Sequence, residues 1–105
     1  MVQIPIDVMK KIEKFLTTLK QHKIPIKRAI LFGSYAQGYN RKWSDIDIAL
    51  VSDIFEGDRI KDKDKIRRIT LSVSSEIDVI PFSPDDFNTE NQFAKEIIST
   101  GISLV

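Results

Sequence analysis

The sequence contains no cysteine. Disulfide staples and thiolate metal sites are therefore excluded, and a reducing compartment is the simplest home. No repeat or low-complexity tract interrupts the chain, and with four glycines and four prolines it has no glycine- or proline-rich linker. Charge of one sign is also missing: the formal net charge of +1 leaves no overall electrostatic footprint for DNA or RNA. No apolar run approaches the ~20 residues needed to span a bilayer. The segment Met1-Val2-Gln3-Ile4-Pro5 lacks a basic stretch followed by an apolar one, so no secretory leader is expected. These absences lead us to expect a cytoplasmic, soluble protein.

What is present suits a globular fold. Of the 105 residues, 42% are hydrophobic and 30% charged, which argues against disorder and for one domain spanning 1–105. A domain of this size buries roughly 60–70% of the surface its unfolded chain exposes.

From Ile6 to Leu19, apolar Met9, Ile12, Leu16 and Leu19, with Val8 and Phe15 beside them, oppose Lys10, Lys14, Thr17 and Lys20. That spacing predicts an amphipathic helix, with Pro5 in its first turn and its end before Pro25. Ile26 to Phe32 reads as a short buried strand that stops at Gly33-Ser34. Asp45 to Val51 reads as a second strand, and Gly57 to Val73 as a charged helix. A third strand, Ile77 to Ile80, is bounded by Pro81. Ser83-Pro84-Asp85-Asp86 resembles a helix start, with a serine cap, proline in the first turn and acids facing the dipole. Gly101 fits the end of that helix, and an apolar tail, Ile102 to Val105, follows. The predicted architecture is α/β: a small mixed sheet flanked by helices.

The chemistry concentrates in a few positions. Residues two apart on a strand share a face, so Asp45 and Asp47 point the same way, ~7 Å apart at their Cα atoms. Two neighbouring carboxylates repel each other, and divalent cations such as Mg²⁺ relieve that repulsion through oxygen ligation. Solvated acids on a wet strand face are the plain alternative. Gly33-Ser34 ends a strand and opens a short helix, a place where backbone N–H groups and a hydroxyl can meet phosphate. An ordinary serine-capped turn is equally consistent with it. Asp78 is an acid within an apolar run. It either joins Asp45 and Asp47 as a third carboxylate, faces water at a strand edge, or pairs with a cation of the Lys61–Arg68 helix.

Together these residues resemble a known family. Gly33-Ser34, ten residues, then Asp45-Ile46-Asp47, with Asp78 in a later strand, is similar to the pattern of the polymerase-β-type nucleotidyltransferase superfamily. The segments Ala29 to Gly38 and Ser44 to Val51 resemble its minimal nucleotidyltransferase (MNT) branch. The resemblance implies a nucleotidyltransferase fold in which Gly33 and Ser34 hold the triphosphate of ATP. It also implies that Asp45, Asp47 and Asp78 are catalytic and bind Mg²⁺, two ions in all, with Asp78 orienting or deprotonating the attacking hydroxyl. One departure stands out. Family members often carry arginines in the turn after Gly-Ser, where this chain has Tyr35 and Gln37, so that contact is weaker or comes from Arg41 or Lys42, unless these two are solvated loop charges, the reading we favour.

The MNT resemblance further implies a role. Larger relatives attach a helical domain that holds the acceptor, and 105 residues leave little material for such a pocket. The expected partner is a small helical HEPN-type protein, with this chain as the antitoxin that adenylylates it. A homo-oligomer is an open possibility. Two alternatives remain: an antitoxin that masks its partner sterically without catalysis, and a small-molecule nucleotidyltransferase. Lys61, Lys63, Lys65, Arg67 and Arg68 are diluted by Asp58, Asp62 and Asp64, so i,i+4 pairing in water is expected there rather than nucleic-acid contact. His22 is expected at a helix C-terminus, and Trp43 in packing or an interface.

Overall fold

A computed structural model describes residues 4–41 and 44–105. The expected contributions of Lys42 and Trp43 fall outside the described residues. Helix α1 spans Ile6–Gln21, with Pro5 one place ahead of its first turn as the N-cap. Val8, Ile12, Phe15 and Leu19 are its buried stripe, and Met9 and Leu16 flank it half-buried. Phe15 and Leu19 have no exposed surface, and each such burial contributes about 1.5–3 kcal/mol.

The helix ends in a Schellman motif. Lys23 sits at φ 60°, its N–H donates to the Lys20 carbonyl, and the N–H of Ile24 reaches back to that of Leu19. His22 caps the helix as expected, its Nδ1 lying 2.9 Å from the Thr18 carbonyl oxygen.

The sheet has four strands. Strand β1 is Arg28–Phe32, β2 is Ile46–Val51, β3 is Ile77–Phe82 and β4 is Ile102–Ser103. Their order is β3-β2-β1-β4; β1 runs antiparallel to β2 and β4, and β2 parallel to β3. A single turn, α2 (Ser34–Gln37), follows β1, and α3 (Arg59–Val73) makes the crossover that a parallel β2–β3 pair requires. Helix α4 (Gln92–Thr100) packs on the sheet's other face.

The two faces differ in content. Ile46, Ile48 and Leu50 of β2 join Ala29, Leu31, Ile77 and Val79 against α1 and α3. Ala49 and Val51 join Ile30, Phe82 and Phe87 against Ala94 and Ile97 of α4. β2 is thus a central strand covered on both sides. The small mixed sheet flanked by helices is the architecture observed.

Several boundaries move. β1 starts at Arg28 rather than Ile26, and β2 at Ile46, which leaves Asp45 just outside the ladder. Pro81 lies inside β3, not beyond it. Glu76 and Phe82 accept hydrogen bonds from Ile46 and Ser52, so even-numbered residues of β3 face β2, and the proline nitrogen points to the open edge where no donor is needed. The tail pairs with β1 as β4.

The helix start expected at Ser83 is overturned. Ser83 is buried just after β3, the Asp86 N–H donates to its carbonyl, and a turn over residues 84–86 leads into Phe87. Burying Phe87 against Phe82, with ring centroids 5.0 Å apart, holds that segment out of helical geometry. The working cap is Asn91, whose side chain accepts from Phe93 and Ala94.

Gly101 does end α4, but at φ −86°, so left-handed backbone is not the reason for glycine. A Cβ there would collide with Ile30 and stand 2.6 Å from the Ile97 carbonyl oxygen. Close approach to β1 excludes a side chain.

The charged helix also differs from expectation. Asp58 caps α3, while Asp62, 1% exposed, accepts from the N–H groups of Glu56 and Gly57 and pairs with Lys65 at 3.1 Å. Burial alone would raise the Asp62 carboxyl, but the Glu56 N–H, the Lys65 ammonium and the Gly57 N–H hold it below the usual carboxylate range. It braces a loop and is not a solvated charge. Pairs within α3 occur at i,i+3, Lys65 with Asp62 and Arg67 with Asp64, rather than at i,i+4.

Candidate active site

β1 ends where its partner β2 begins, so Phe32 lies opposite Asp47, and on the other side of β2, Asp47 lies in register with Asp78. Asp47 is therefore flanked by the glycine turn on one strand and by a second carboxylate on the other. Gly33 adopts φ 76°, ψ −151°, a region open essentially to glycine alone. A Cβ at this position would run into the Asp47 carboxylate. The glycine is thus required twice, by its backbone angle and by the acid lying against it.

After Gly33, the chain turns once through α2. The N–H groups of Ser34, Tyr35 and Ala36 have no carbonyl four residues back within the helix and so stay available to an anion. Gly38, at φ 82°, closes the turn by donating to the Ser34 carbonyl at 2.9 Å. Tyr35 is 7% exposed and packs in the core. Its place in the turn, where an arginine was expected, is therefore an anchoring one. Gln37 is exposed and lines a cleft of about 200 Å³ with Gly33, Phe32, Tyr39 and Phe93. Arg41 is exposed, with its backbone N–H bonded to the Ser44 hydroxyl at 2.7 Å.

One of the acids is clearly perturbed. Burial, then the negative charges of Asp78 and Asp45, push the Asp47 carboxyl up from 3.8 to about 6. Asp45 is exposed two residues before Asp47, and Asp78 is engaged by Lys63 of α3, with Nζ 3.0 Å from Oδ1. Asp78 thus pairs with that charged helix while also standing in register beside Asp47. Lys63 was missed as a site residue. The sequence signal for it was a cation on the crossover helix leading into the strand of Asp78.

As the side chains stand, no group of three His, Asp or Glu residues close enough to hold a metal ion forms among the described residues. Asp47 and Asp78 are brought together, and the charge of Asp45, two residues away, also acts on Asp47. The donor set still fits a hard cation. It is made of carboxylate oxygens alone, and the raised Asp47 carboxyl reflects burial and then the nearby charges of Asp78 and Asp45, both of which a bound positive ion would offset. Around it, Phe93 packs edge-on to Phe32 at 5.9 Å, and the Arg59 guanidinium lies over the Phe93 ring at 5.6 Å.

A glycine turn pressed against Asp47, with Asp78 in register on the next strand, is the frame of the candidate active site. The chain belongs to the nucleotidyltransferase domain family, whose model matches residues 9–102. It is 30% identical over 101 residues to a Methanocaldococcus jannaschii protein provisionally named a protein adenylyltransferase, covering 94% of this chain and 97% of that one. A second protein of that organism, with the same provisional name, is 48% identical over 46 residues, 43% of this chain and 46% of that one.

Among solved structures, a provisionally assigned nucleotidyltransferase from Sulfolobus solfataricus superposes with TM-score 0.67 at 19% identity, covering 93% of this chain and 79% of that one. A structure described as a toxin–antitoxin with AMP-PNP gives TM-score 0.62 at 26% identity, covering 89% and 71%. The protein is a nucleotidyltransferase. No described helix is long and apolar enough to cross a membrane.

Proposed function

We propose that this nucleotidyltransferase moves AMP from ATP to a hydroxyl of a partner protein, and that it serves as the antitoxin of a HEPN-type helical toxin. The observation that carries the reading is the Gly33 turn lying directly against Asp47, with Asp78 in register beside it. The protein adenylyltransferase name of the Methanocaldococcus jannaschii relative and the toxin–antitoxin description of a structural neighbour support the acceptor and the pairing.

In this reading the N–H groups of α2 and the Ser34 hydroxyl hold the outer phosphates. Asp45 and Asp47 hold Mg²⁺, which, when bound, neutralises the triphosphate and lowers the barrier to attack at the α-phosphorus. Asp78 would help hold a second Mg²⁺, and it orients the incoming hydroxyl and draws its proton while pyrophosphate leaves in line. The partner supplies the acceptor and shields the reacting groups from water. A steric-masking antitoxin is the second reading, favoured by one observation: Asp78 is already satisfied by Lys63.

Intact-mass spectrometry of the partner after incubation with ATP and Mg²⁺ decides between them. We expect a gain of one or more AMP units on the partner, abolished by Asp47→Asn. A partner that is bound and silenced at unchanged mass would refute transfer and leave masking.

A further inference from the structure

Asp78 is held by a charge that belongs to neither its own strand nor its neighbours. Lys63 stands on α3, fifteen residues earlier, and reaches the carboxylate at 3.0 Å. β3 is the open edge of the sheet, so the lysine comes around that edge beside the cleft of about 220 Å³ that Lys63, Arg67, Leu71 and Asp78 line together. The other paired cations of α3 serve local acids: Lys65 goes to Glu56 and Asp62, Arg67 to Asp64. Among the described residues, Lys63 is the one cation paired with a member of the carboxylate set.

We propose that Lys63 is a built-in counter-cation that reserves Asp78 until nucleotide arrives. This rests on the reading of Asp78 as a ligand for a divalent cation. The Lys63 ammonium, 3.0 Å from Oδ1, repels a dication approaching the same carboxylate, so ligation by Asp78 is opposed until Lys63 swings away. Both side chains are more than two-fifths exposed, so the pair is weak enough to exchange. The flexible four-carbon stem of lysine lets the ammonium swing away, and the oxygens of an arriving triphosphate offer it a new partner. Cation and nucleotide binding are thereby coupled, and the resting site is kept from filling with cation alone.

Titration of the whole protein with Mn²⁺ alone, read by the loss of free-ion electron paramagnetic resonance signal, tests this without catalysis. Lys63→Met should bind Mn²⁺ roughly three- to tenfold tighter than the parent. Lys63→Arg should match the parent, because the charge is retained. Arg68→Met, which removes an exposed charge from the same helix, should change affinity by less than about twofold. In an Asp78→Asn background the gain from Lys63→Met should vanish. Unchanged or weaker Mn²⁺ binding in Lys63→Met, with weaker binding in Asp78→Asn, overturns the counter-cation and spares the ligand role of Asp78. Equal Mn²⁺ affinity in the parent and Asp78→Asn overturns that ligand role itself, and with it the premise of this inference.

Discussion

Replacing Asp47 with asparagine should stabilise the fold, and the gain should depend on pH. In the native state the carboxyl is raised from 3.8 to about 6, first by burial and then by Asp78 and Asp45. A shift of about two units corresponds to roughly 3 kcal/mol between the two protonation states. Asp47 is only partly buried, so solvent screening reduces this to about 1–2 kcal/mol.

Between pH 3.8 and about 6 the folded state holds a proton that the unfolded state has released. Stability therefore falls as pH rises through that window, and the full cost is present above it. Asparagine keeps the shape and removes the charge. Urea denaturation of parent and variant from pH 3.5 to 8 should show curves that coincide at the acid end. They should separate through the window and stay about 1–2 kcal/mol apart above pH 7, which in a thermal scan is about 5–10 °C. A gap independent of pH, or a variant less stable at pH 8, would show that Asp47 is a structural partner and not a strained functional acid.

Two further outcomes follow from the loops. Asp62→Ala should cost about 2–3 kcal/mol at neutral pH, because the N–H groups of Glu56 and Gly57 lose their acceptor and Lys65 a partner. Since that carboxyl is held below its usual range, the penalty should shrink on acidification, and a penalty unchanged at pH 3 in chemical denaturation would refute the assignment. Lys23→Gly should stabilise by about 0.5–1 kcal/mol, as glycine adopts φ 60° without steric cost; a lower melting temperature would mean that the side chain contributes more than its backbone strain.

The central strand and its acids were legible because they obey period two. Ile46 and Ile48 had to be buried if Asp47 was to reach solvent, and the fold puts them in the core. The glycine turn was legible as a conformation, although the contact that makes Gly33 irreplaceable comes from Asp47, fourteen positions later, and no local pattern contains it. Ser83 misled because a serine before proline and two acids is a good local helix start. The tertiary demand to bury Phe87 won, and the start passed to Asn91. Asp62 and Lys63 read as interchangeable members of a charged run. One is buried on α3 against the preceding loop and the other crosses to β3. The two-residue β4 was hidden because its only requirement is an edge of β1 left open beside it.

The outward-facing nitrogen of Pro81 bears on self-association. Along the free edge of β3, the N–H groups of Ile77 and Val79 point away from β2, and at the next outward position proline has none. Another strand laid there would gain two donors and then meet a ring, too short a ladder to template continuous pairing. Copies of this chain crowded together are thus steered away from sheet-to-sheet polymerisation, and where they do assemble they must use side-chain surfaces that can be selected for a defined geometry.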